Sequence, residues 1–253
     1  KMEYYIAPAV QEPEVQAELK KITPTEINPE TITVLDPTCG SGHILVEAYN
    51  LLREIYLERG YRPREVPRLI LEKNLFGLDI DARAAQLASF ALLMRARADD
   101  AAIFNIENPV KLNILEIIES DFNINEAVQI LTEGKNVEVK QIARPFMPEP
   151  SQMELTLRAP GTLSPAELRE FLELFAQAKT FGSLITIPHE IQSKLDGIAA
   201  FAAAKFRDGA IFERVYASKV IRLCEQARVL AGQFDAVVAN PPYMGNKGMN
   251  SLL

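Results

Sequence analysis

The segment TVLDPTCGSGHILVEA, residues 33–48, constrains the fold more than any other part of the sequence. A short run rich in β-branched residues ends at Asp36, a glycine-containing turn follows, and apolar residues with a helical period begin directly after it. Glycine permits close approach of a ligand to the backbone, and the first turn of a helix offers free N–H groups. The segment therefore predicts a strand, a ligand-binding turn with Gly40 and Gly42, and a helix.

Alternating strand and helix patterns extend this unit along the chain. Strands are predicted at 31–35, 75–78 and 110–118, and helices at 41–59, 68–73 and 82–98. Alternation of this kind is typical of an α/β fold with an open, doubly wound and mostly parallel sheet, which binds ligands at the carboxyl ends of its strands. The helix at 82–98 is rich in alanine and leucine and is expected to be mostly buried, with Asp81 as its N-cap.

The chain divides into four parts by composition. Residues 1–30 are an irregular leader with a helical patch at 12–21, and residues 31–122 hold the alternating elements. Residues 123–232 form a linker and a helical insertion: five prolines lie between 143 and 165, and helices are predicted at 165–179, 190–205 and 211–231. The first of these helices opens with a capping box at Ser164 and Glu167. Residues 233–253 contain a strand at 235–239, expected to be buried, and the loop that follows it.

Composition excludes several classes of protein. Two cysteines and two histidines are too few for a disulfide framework or a zinc site, and they favour a reducing cytoplasm. No apolar run reaches the length of a membrane span, so no membrane partner is expected. The formal net charge of -7 has the wrong sign for a surface that grips phosphates, so a nucleic-acid partner would need a local basic patch or another region.

A phosphate-binding loop is the alternative reading of the glycine turn. Such a loop ends in Gly-Lys-Ser/Thr, whereas this one has His43 after Gly42. Asp36 also disfavours a phosphate, because two anions would meet. A turn without lysine or arginine suits a cationic ligand.

Residues 36–42, DPTCGSG, resemble the first motif of the S-adenosylmethionine-dependent DNA methyltransferases. The resemblance implies a Rossmann-like methyltransferase sheet, with residues 31–122 as its cofactor-binding half. It also implies that S-adenosylmethionine is the cofactor and that the turn contributes to its binding through Asp36, Pro37, Thr38, Cys39, Gly40 and Gly42.

Two further cofactor motifs are expected after the next two strands. The first lies in LFGLDIDARAAQLA, residues 75–88. By the family pattern, Asp79 would accept hydrogen bonds from the ribose hydroxyls of the cofactor, and Ile80 would pack on its adenine ring. The third motif, an acidic or amide group near the adenine amine, falls in EIIESDF, residues 116–122. Asp121 is favoured there, but Glu116 and Glu119 stay open, and any one of these carboxylates taken singly could be an ordinary surface group.

The loop Asn240-Pro241-Pro242-Tyr243 resembles the fourth motif of the amino-methylating DNA methyltransferases; alone, it would be no more than a rigid turn. The side-chain carbonyl of Asn240 and the backbone carbonyl of Pro241 would accept the hydrogens of the target amine. Pro242 would stiffen the loop, and Tyr243 would stack on a base rotated out of the duplex. No general base is needed, because the attacking amine becomes strongly acidic.

The order of these motifs resembles the gamma class of adenine-specific methyltransferases. FGSLI at 181–185 and NPPYMGNKGM at 240–249 are similar to the large enzymes of BREX phage defence and to their type IIG restriction-modification relatives. This implies adenine methylation in double-stranded DNA, together with protein partners from a defence system. The resemblance covers residues 31–122 and 180–250.

The resemblance also implies parts for which residues 246–253 leave no room. Further strands of the sheet and a DNA-reading domain normally follow the fourth motif. We therefore expect the chain to lack the last strands, to contact DNA through regions outside it, and to have little activity in isolation. Two alternatives remain: a protein-glutamine methyltransferase, whose first motif usually reads Asp-x-Gly-x-Gly-Ser-Gly, and a non-catalytic module that retains the fold.

Overall fold

A computed structural model describes residues 9–22, 27–133 and 163–240 of the protein. Within these ranges, four parallel strands form one sheet in the order β3-β2-β1-β4. The strands are β1 (Val34–Asp36), β2 (Leu75–Asp79), β3 (Asn113–Glu116) and β4 (Ala236–Val237). The predicted doubly wound α/β sheet is confirmed, because the chain adds β2 and β3 on one side of β1 and then crosses to the other side for β4.

Helices cover both faces of the sheet. Val34 points into a core formed with α2, α3 and α4, whereas Leu35 points into a second core formed with α5, α6, α9 and α10. No helix in the described ranges is both long and apolar enough to cross a membrane. The helices are α1 (Pro13–Ile22), α2 (His43–Glu58), α3 (Val66–Leu69), α4 (Ala82–Asp99), α5 (Ile124–Glu133), α6 (Pro165–Glu173), α7 (Ala178–Phe181), α8 (His189–Gln192), α9 (Leu195–Asp208) and α10 (Ile211–Ala231).

Local capping rules predicted where several helices begin. The Asp81 side chain accepts from the backbone N–H of Arg83 over 2.9 Å at the start of α4, as expected of an N-cap. The capping box of Ser164 and Glu167 opens α6. The predicted helix 165–179 is wrong at its end, because α6 stops at Glu173 and α7 begins a new helix. The predicted helices 68–73 and 190–205 are each divided as well, into α3 with a π-helical turn at Ile70–Asn74, and into α8 with α9.

Two predictions of burial were wrong. In α4 the small residues face the sheet, while three large apolar residues are exposed: Leu87, Phe90 and Met94. In β4, Val237 is 59% exposed, because β4 is an edge strand of the described sheet. Burial followed the position of each side chain in the assembled sheet rather than the apolar content of the segment.

A buried asparagine joins the amino ends of β1 and β2. The Asn74 amide donates to the backbone carbonyls of Pro29 and Ile32, over 2.7 Å and 2.6 Å. Its own carbonyl oxygen accepts from the Tyr56 hydroxyl of α2 over 2.9 Å. Asn74 therefore fixes β1, β2 and α2 relative to one another. Because the strands are fixed at their amino ends, the residues at their carboxyl ends are held in place as well.

Asn74→Ala is expected to destabilise the fold by about 3 kcal/mol, because it removes three hydrogen bonds in and beside the core and leaves the buried Tyr56 hydroxyl without its acceptor. Urea denaturation followed by circular dichroism measures this free energy. Tyr56→Phe is the matched control: it removes only one of the three hydrogen bonds and should cost about 1 kcal/mol. Equal stability of Asn74→Ala and the unmodified chain would contradict the assignment.

Candidate active site

The predicted site residues lie along one edge of the sheet, where all four parallel strands have their carboxyl ends. Asp36, Asp79 and Glu116 are the last residues of β1, β2 and β3, and Asn240 follows the end of β4. Between β1 and β4 the sheet changes the side on which strands are added, and open α/β sheets bind ligands at such a switch point. The glycine turn and Asn240 therefore follow neighbouring strands.

Backbone hydrogen bonds fold the turn after β1 back onto the sheet. The N–H of Thr38 donates to Asp36 Oδ1 over 3.1 Å, which makes Asp36 the cap of its own turn. The N–H of Cys39 donates to the carbonyl oxygen of Leu78 in β2 over 2.9 Å. The turn is thus attached to both β1 and β2 before the helix begins.

The two glycines of the turn have different roles. Gly42 has a φ of 83°, and a Cβ placed on it would lie 2.9 Å from Ala88 of α4. A side chain is excluded there by both the left-handed backbone and the close helix. Gly40 also has positive φ, 53°, but a Cβ on it would meet open space. The open space beside Gly40 is room in which a ligand can approach the backbone.

The carboxylate of Asp79 joins this turn to the loop after β2. Asp79 Oδ2 accepts from the N–H of Gly40, and Oδ1 accepts from the N–H of Asp81, each over 2.8 Å. Each oxygen has a second lone pair, so the carboxylate can still accept hydrogen bonds from a ligand. This leaves Asp79 able to bind two vicinal hydroxyl groups.

The electrostatic character of the site is negative and partly desolvated. Asp36 is only 1% exposed, and burial raises its pKa above the ordinary value of 3.8; the neighbouring Asp79 raises it further, while the N–H of Thr38 opposes the shift. Burial and the same two carboxylates raise the pKa of the Cys39 thiol to about 12. Neither Asp36 nor Asp79 forms an ion pair with a lysine or arginine among the described residues. A cation would therefore be favoured beside them.

Thr38 carries a buried hydroxyl without a partner. Its Oγ1 makes no hydrogen bond to any part of the chain that the structure describes. Leaving such a group unpaired costs about 1–3 kcal/mol, and buried polar atoms without partners are rare in folded proteins. Together with the open space at Gly40, this hydroxyl fits a turn that is completed by a polar ligand.

The three carboxylates at and after the end of β3 all have partners from the helical insertion. Glu116 forms ion pairs with Lys179, over 3.1 Å, and with Arg222, over 3.2 Å. Glu119 accepts from the backbone N–H of Lys179 over 2.9 Å. The exposed Asp121 forms an ion pair with Lys219, which holds its pKa below the ordinary range. The structure brings Glu116 beside Asp79 in the sheet register, but it leaves open which of the three would meet a ligand.

The strand before Asn240 is fixed to β1. Val34 and Leu35 pair with Ala236 and Val237, and the Asp235 carboxylate accepts from both the N–H and the hydroxyl of Thr33. Asn240 itself is exposed. The predicted residues Pro241, Pro242 and Tyr243 lie outside the described residues. Of the other predicted residues, Pro37 is half-buried in the turn and Ile80 is 49% exposed directly after Asp79.

Sequence reasoning missed the cations of the insertion. Lys179 and Arg222 come from α7 and α10, far along the chain from Glu116, and no local spacing connects them. The sequence FGSLI did mark the turn after α7, where Gly182 has a φ of 56°. A glycine at that position indicates an unusual backbone conformation, but the sequence does not indicate which residues of the sheet lie beside the turn.

Two protein families match the chain. Residues 73–252 match the family described as Eco57I restriction-modification methylase, and residues 13–127 match the DNA-methyltransferase domain of MmeI. The Eco57I match covers the second strand, the insertion and the Asn-Pro-Pro-Tyr loop. The MmeI match covers the glycine turn and Asp79. The two matches together span both halves of the site.

Two named relatives are similar over most of the chain. The adenine-specific methyltransferase BrxX of Escherichia coli O9:H4 (strain HS) is 49% identical over 253 residues, which is 99% of this chain and 20% of that protein. The adenine-specific methyltransferase PglX of Lacticaseibacillus casei (strain Zhang) is 30% identical over 227 residues, which is 88% of this chain and 16% of that protein. The chain thus spans a fifth or less of the length of these relatives.

Asp36→Asn is expected to stabilise the fold at pH 7 by on the order of 1 kcal/mol. The native pKa of Asp36 lies above its unfolded value, so its contribution to stability is fully present below the unfolded pKa and is lost as pH rises through the native pKa. Urea denaturation between about pH 4 and pH 8 should show the variant gaining over the unmodified chain as pH rises.

Glu107→Gln is the control for that experiment, because Glu107 is exposed and its side chain has no ion pair in the described structure. It should leave the free energy of unfolding unchanged within about 0.5 kcal/mol across the same pH range. A stability gain for Asp36→Asn that does not depend on pH would contradict the claim that burial destabilises the ionised form of Asp36.

Proposed function

This chain belongs to the family of Eco57I restriction-modification methylases, and we propose that it binds S-adenosylmethionine and methylates the exocyclic amine of adenine in DNA. One observation carries the proposal. The glycine turn with Asp36 and the strand that ends before Asn240 are hydrogen-bonded neighbours at the switch point of a parallel sheet. A methyl donor on the turn and a base amine at Asn240 would therefore occupy adjacent positions.

The residues of the turn fit the ligand by their chemistry. Asp79 offers free lone pairs to the two ribose hydroxyls, and Ile80 offers an apolar surface to the adenine ring. Thr38 offers a buried hydroxyl, and the uncompensated charge of Asp36 and Asp79 favours a ligand with ammonium and sulfonium groups. Pro37, Cys39, Gly40 and Gly42 form the backbone of the turn. Asp121 is our choice for the adenine amine, with Glu116 and Glu119 as the alternatives; each of the three is held by a lysine of the insertion.

Asn240 and the loop after it would act on the target base. When bound, S-adenosylmethionine supplies an electrophilic methyl group on a sulfonium. The Asn240 side-chain carbonyl and the Pro241 backbone carbonyl would accept the two hydrogens of the adenine amine and draw its lone pair out of conjugation with the ring. Pro242 would restrict the loop, and Tyr243 would stack on the flipped base. Transfer would form a nitrogen–carbon bond as the carbon–sulfur bond breaks, with S-adenosylhomocysteine as the leaving group, and the amine would release its proton to solvent without a dedicated base.

DNA is favoured over protein as the substrate class. Pro37 and Cys39 match the first motif of the DNA enzymes and depart from that of the protein-glutamine enzymes, and both relatives carry adenine specificity in their names. With a net charge of -7 this chain has little electrostatic attraction for phosphates, so most contacts to double-stranded DNA would come from regions outside it. We further propose a cytoplasmic enzyme of restriction-modification or phage defence with protein partners from that system.

Asn240→Ala in the intact enzyme is expected to lower methyl transfer by at least about 100-fold, because an oriented acceptor of the reacting amine is lost. Binding of S-adenosylmethionine should persist, since Asn240 is not part of the glycine turn. Transfer of a labelled methyl group to DNA and calorimetric titration with the cofactor measure the two properties separately.

Asn105→Ala is the control, because Asn105 is an exposed asparagine in the segment that leads to the amino end of β3, at the opposite end of the strand from the carboxyl edge. It should leave transfer unchanged. Undiminished transfer by Asn240→Ala would refute the catalytic assignment, and label that appears in protein substrates rather than in DNA would refute the substrate class.

Asp79→Ala should act in the opposite sense and weaken binding of S-adenosylmethionine by about 10–100-fold, because hydrogen bonds to a charged acceptor are lost. Calorimetric titration measures the dissociation constant. Asp81→Asn is matched to it: it removes a carboxylate two residues away but keeps a side-chain oxygen that can cap α4. Equal affinities of Asp79→Ala and Asp81→Asn would contradict the role of Asp79.

A further inference from the structure

We propose that the turn at residues 181–184 is the second wall of the adenine pocket, with the Phe181 ring facing the purine from the side opposite Ile80. The inference rests on the proposed function and adds to it a recognition element from the helical insertion.

The carboxyl end of β3 holds α7 in place. Glu116, the last residue of β3, forms an ion pair with the Lys179 ammonium, and Glu119 accepts from the Lys179 backbone N–H at the start of the same helix. Arg222 of α10 holds the second oxygen of Glu116. Because Glu116 is in register with Asp79, these contacts place α7 beside the end of β2, where the ribose acceptor lies.

The turn after α7 reaches Ile80. Gly182 has a φ of 56° and a ψ of -131°, a conformation that is open to glycine. A Cβ built on Gly182 would lie 3.6 Å from Cγ2 of Ile80, which is van der Waals contact. A side-chain carbon at position 182 would just touch Ile80, so the backbone of the turn lies close to the residue that directly follows Asp79.

Apolar side chains around this contact are exposed to solvent at the carboxyl edge of the sheet, which is otherwise polar. Ile80 is 49% exposed, Phe181 is 38% exposed and Leu184 is 73% exposed. Ile80 directly follows Asp79, whose free lone pairs suit ribose hydroxyls, so a nucleoside bound there would direct its flat base towards Ile80 and the neighbouring turn. A purine is the occupant that fits both a hydroxyl acceptor and an adjoining aliphatic and aromatic surface.

Lys179 is a positioning residue in this arrangement, because it touches Glu116 and not the ligand. Its ammonium and its backbone N–H both bind carboxylates of the β3 end, so the direction of Phe181 depends on it. The ion pair is part exposed, with Lys179 48% and Glu116 22% exposed. Loss of the ion pair should loosen the turn without unfolding the protein.

The test is calorimetric titration of the intact protein with two probes, S-adenosylhomocysteine and adenosine. Phe181→Ala should weaken both by about tenfold, because stacking on an aromatic ring is lost. Phe104→Ala is the matched control: Phe104 is a comparably exposed phenylalanine, and it follows α4 at the far end of that helix from the site. Its affinity for both probes should equal that of the unmodified protein.

Lys179→Met should weaken both probes by a few-fold, and Lys179→Arg, which keeps the ion pair, should restore binding. Thermal unfolding of each variant without ligand checks that the fold is retained. If the unmodified protein binds neither probe, the proposed function itself is overturned. If the unmodified protein binds both probes and Phe181→Ala binds them equally well, the proposed role of Phe181 as the second wall of the adenine pocket is refuted.

Discussion

The carboxylate of Asp79 connects the two loops from which the candidate site is built. One oxygen holds Gly40 in the turn after β1, and the other holds Asp81 at the start of α4. Hydrogen bonds of this kind, with a charged acceptor, are among the stronger ones in proteins. Together with the hydrogen bond from the Cys39 N–H to the Leu78 carbonyl, that carboxylate fixes the open space at Gly40 and the unpaired hydroxyl of Thr38 relative to the surface of Ile80.

The proximity of two carboxylates at the same edge, Asp36 and Asp79, lowers the stability of the folded protein. Asp36 is buried beside Asp79, and both burial and the neighbouring charge raise its pKa. A neutral residue would fold more easily in that position. A cation bound beside the pair would reverse the balance, because it favours the ionised carboxylates. The burial of Asp36 beside Asp79, without a lysine or arginine partner in the described structure, supports the proposal of a ligand with positive charge.

Local rules predicted the framework of the site but not its surroundings. Gly42 and the Asp81 cap could be placed from sequence because turn and cap chemistry depends on residues within a few positions. Asp79 was predicted from the family resemblance, and its hydrogen bond to Gly40 joins residues 39 positions apart. The exposure of Val237 and Phe90 could not, because burial depends on which elements pack on the sheet. The end of α6 was missed for a related reason: the backbone carbonyl of Phe175 accepts from Ser120, a residue more than fifty positions earlier.

The helical insertion fixes the two halves of the site relative to each other. The Gln226 side chain on α10 accepts from the N–H of Ile118 over 2.8 Å and donates to its carbonyl over 3.3 Å, so it pairs with the backbone just after β3. The same helix contributes Arg222 to Glu116 and then leads, through Phe234 packed on Phe76, into β4. The crossover from β3 to β4 is thus anchored to the strand it leaves and to the strand it passes. The crossover leads into β4, and Asn240 follows β4. The distance between Asn240 and the glycine turn therefore depends on contacts made by the insertion as well as on the pairing of the strands.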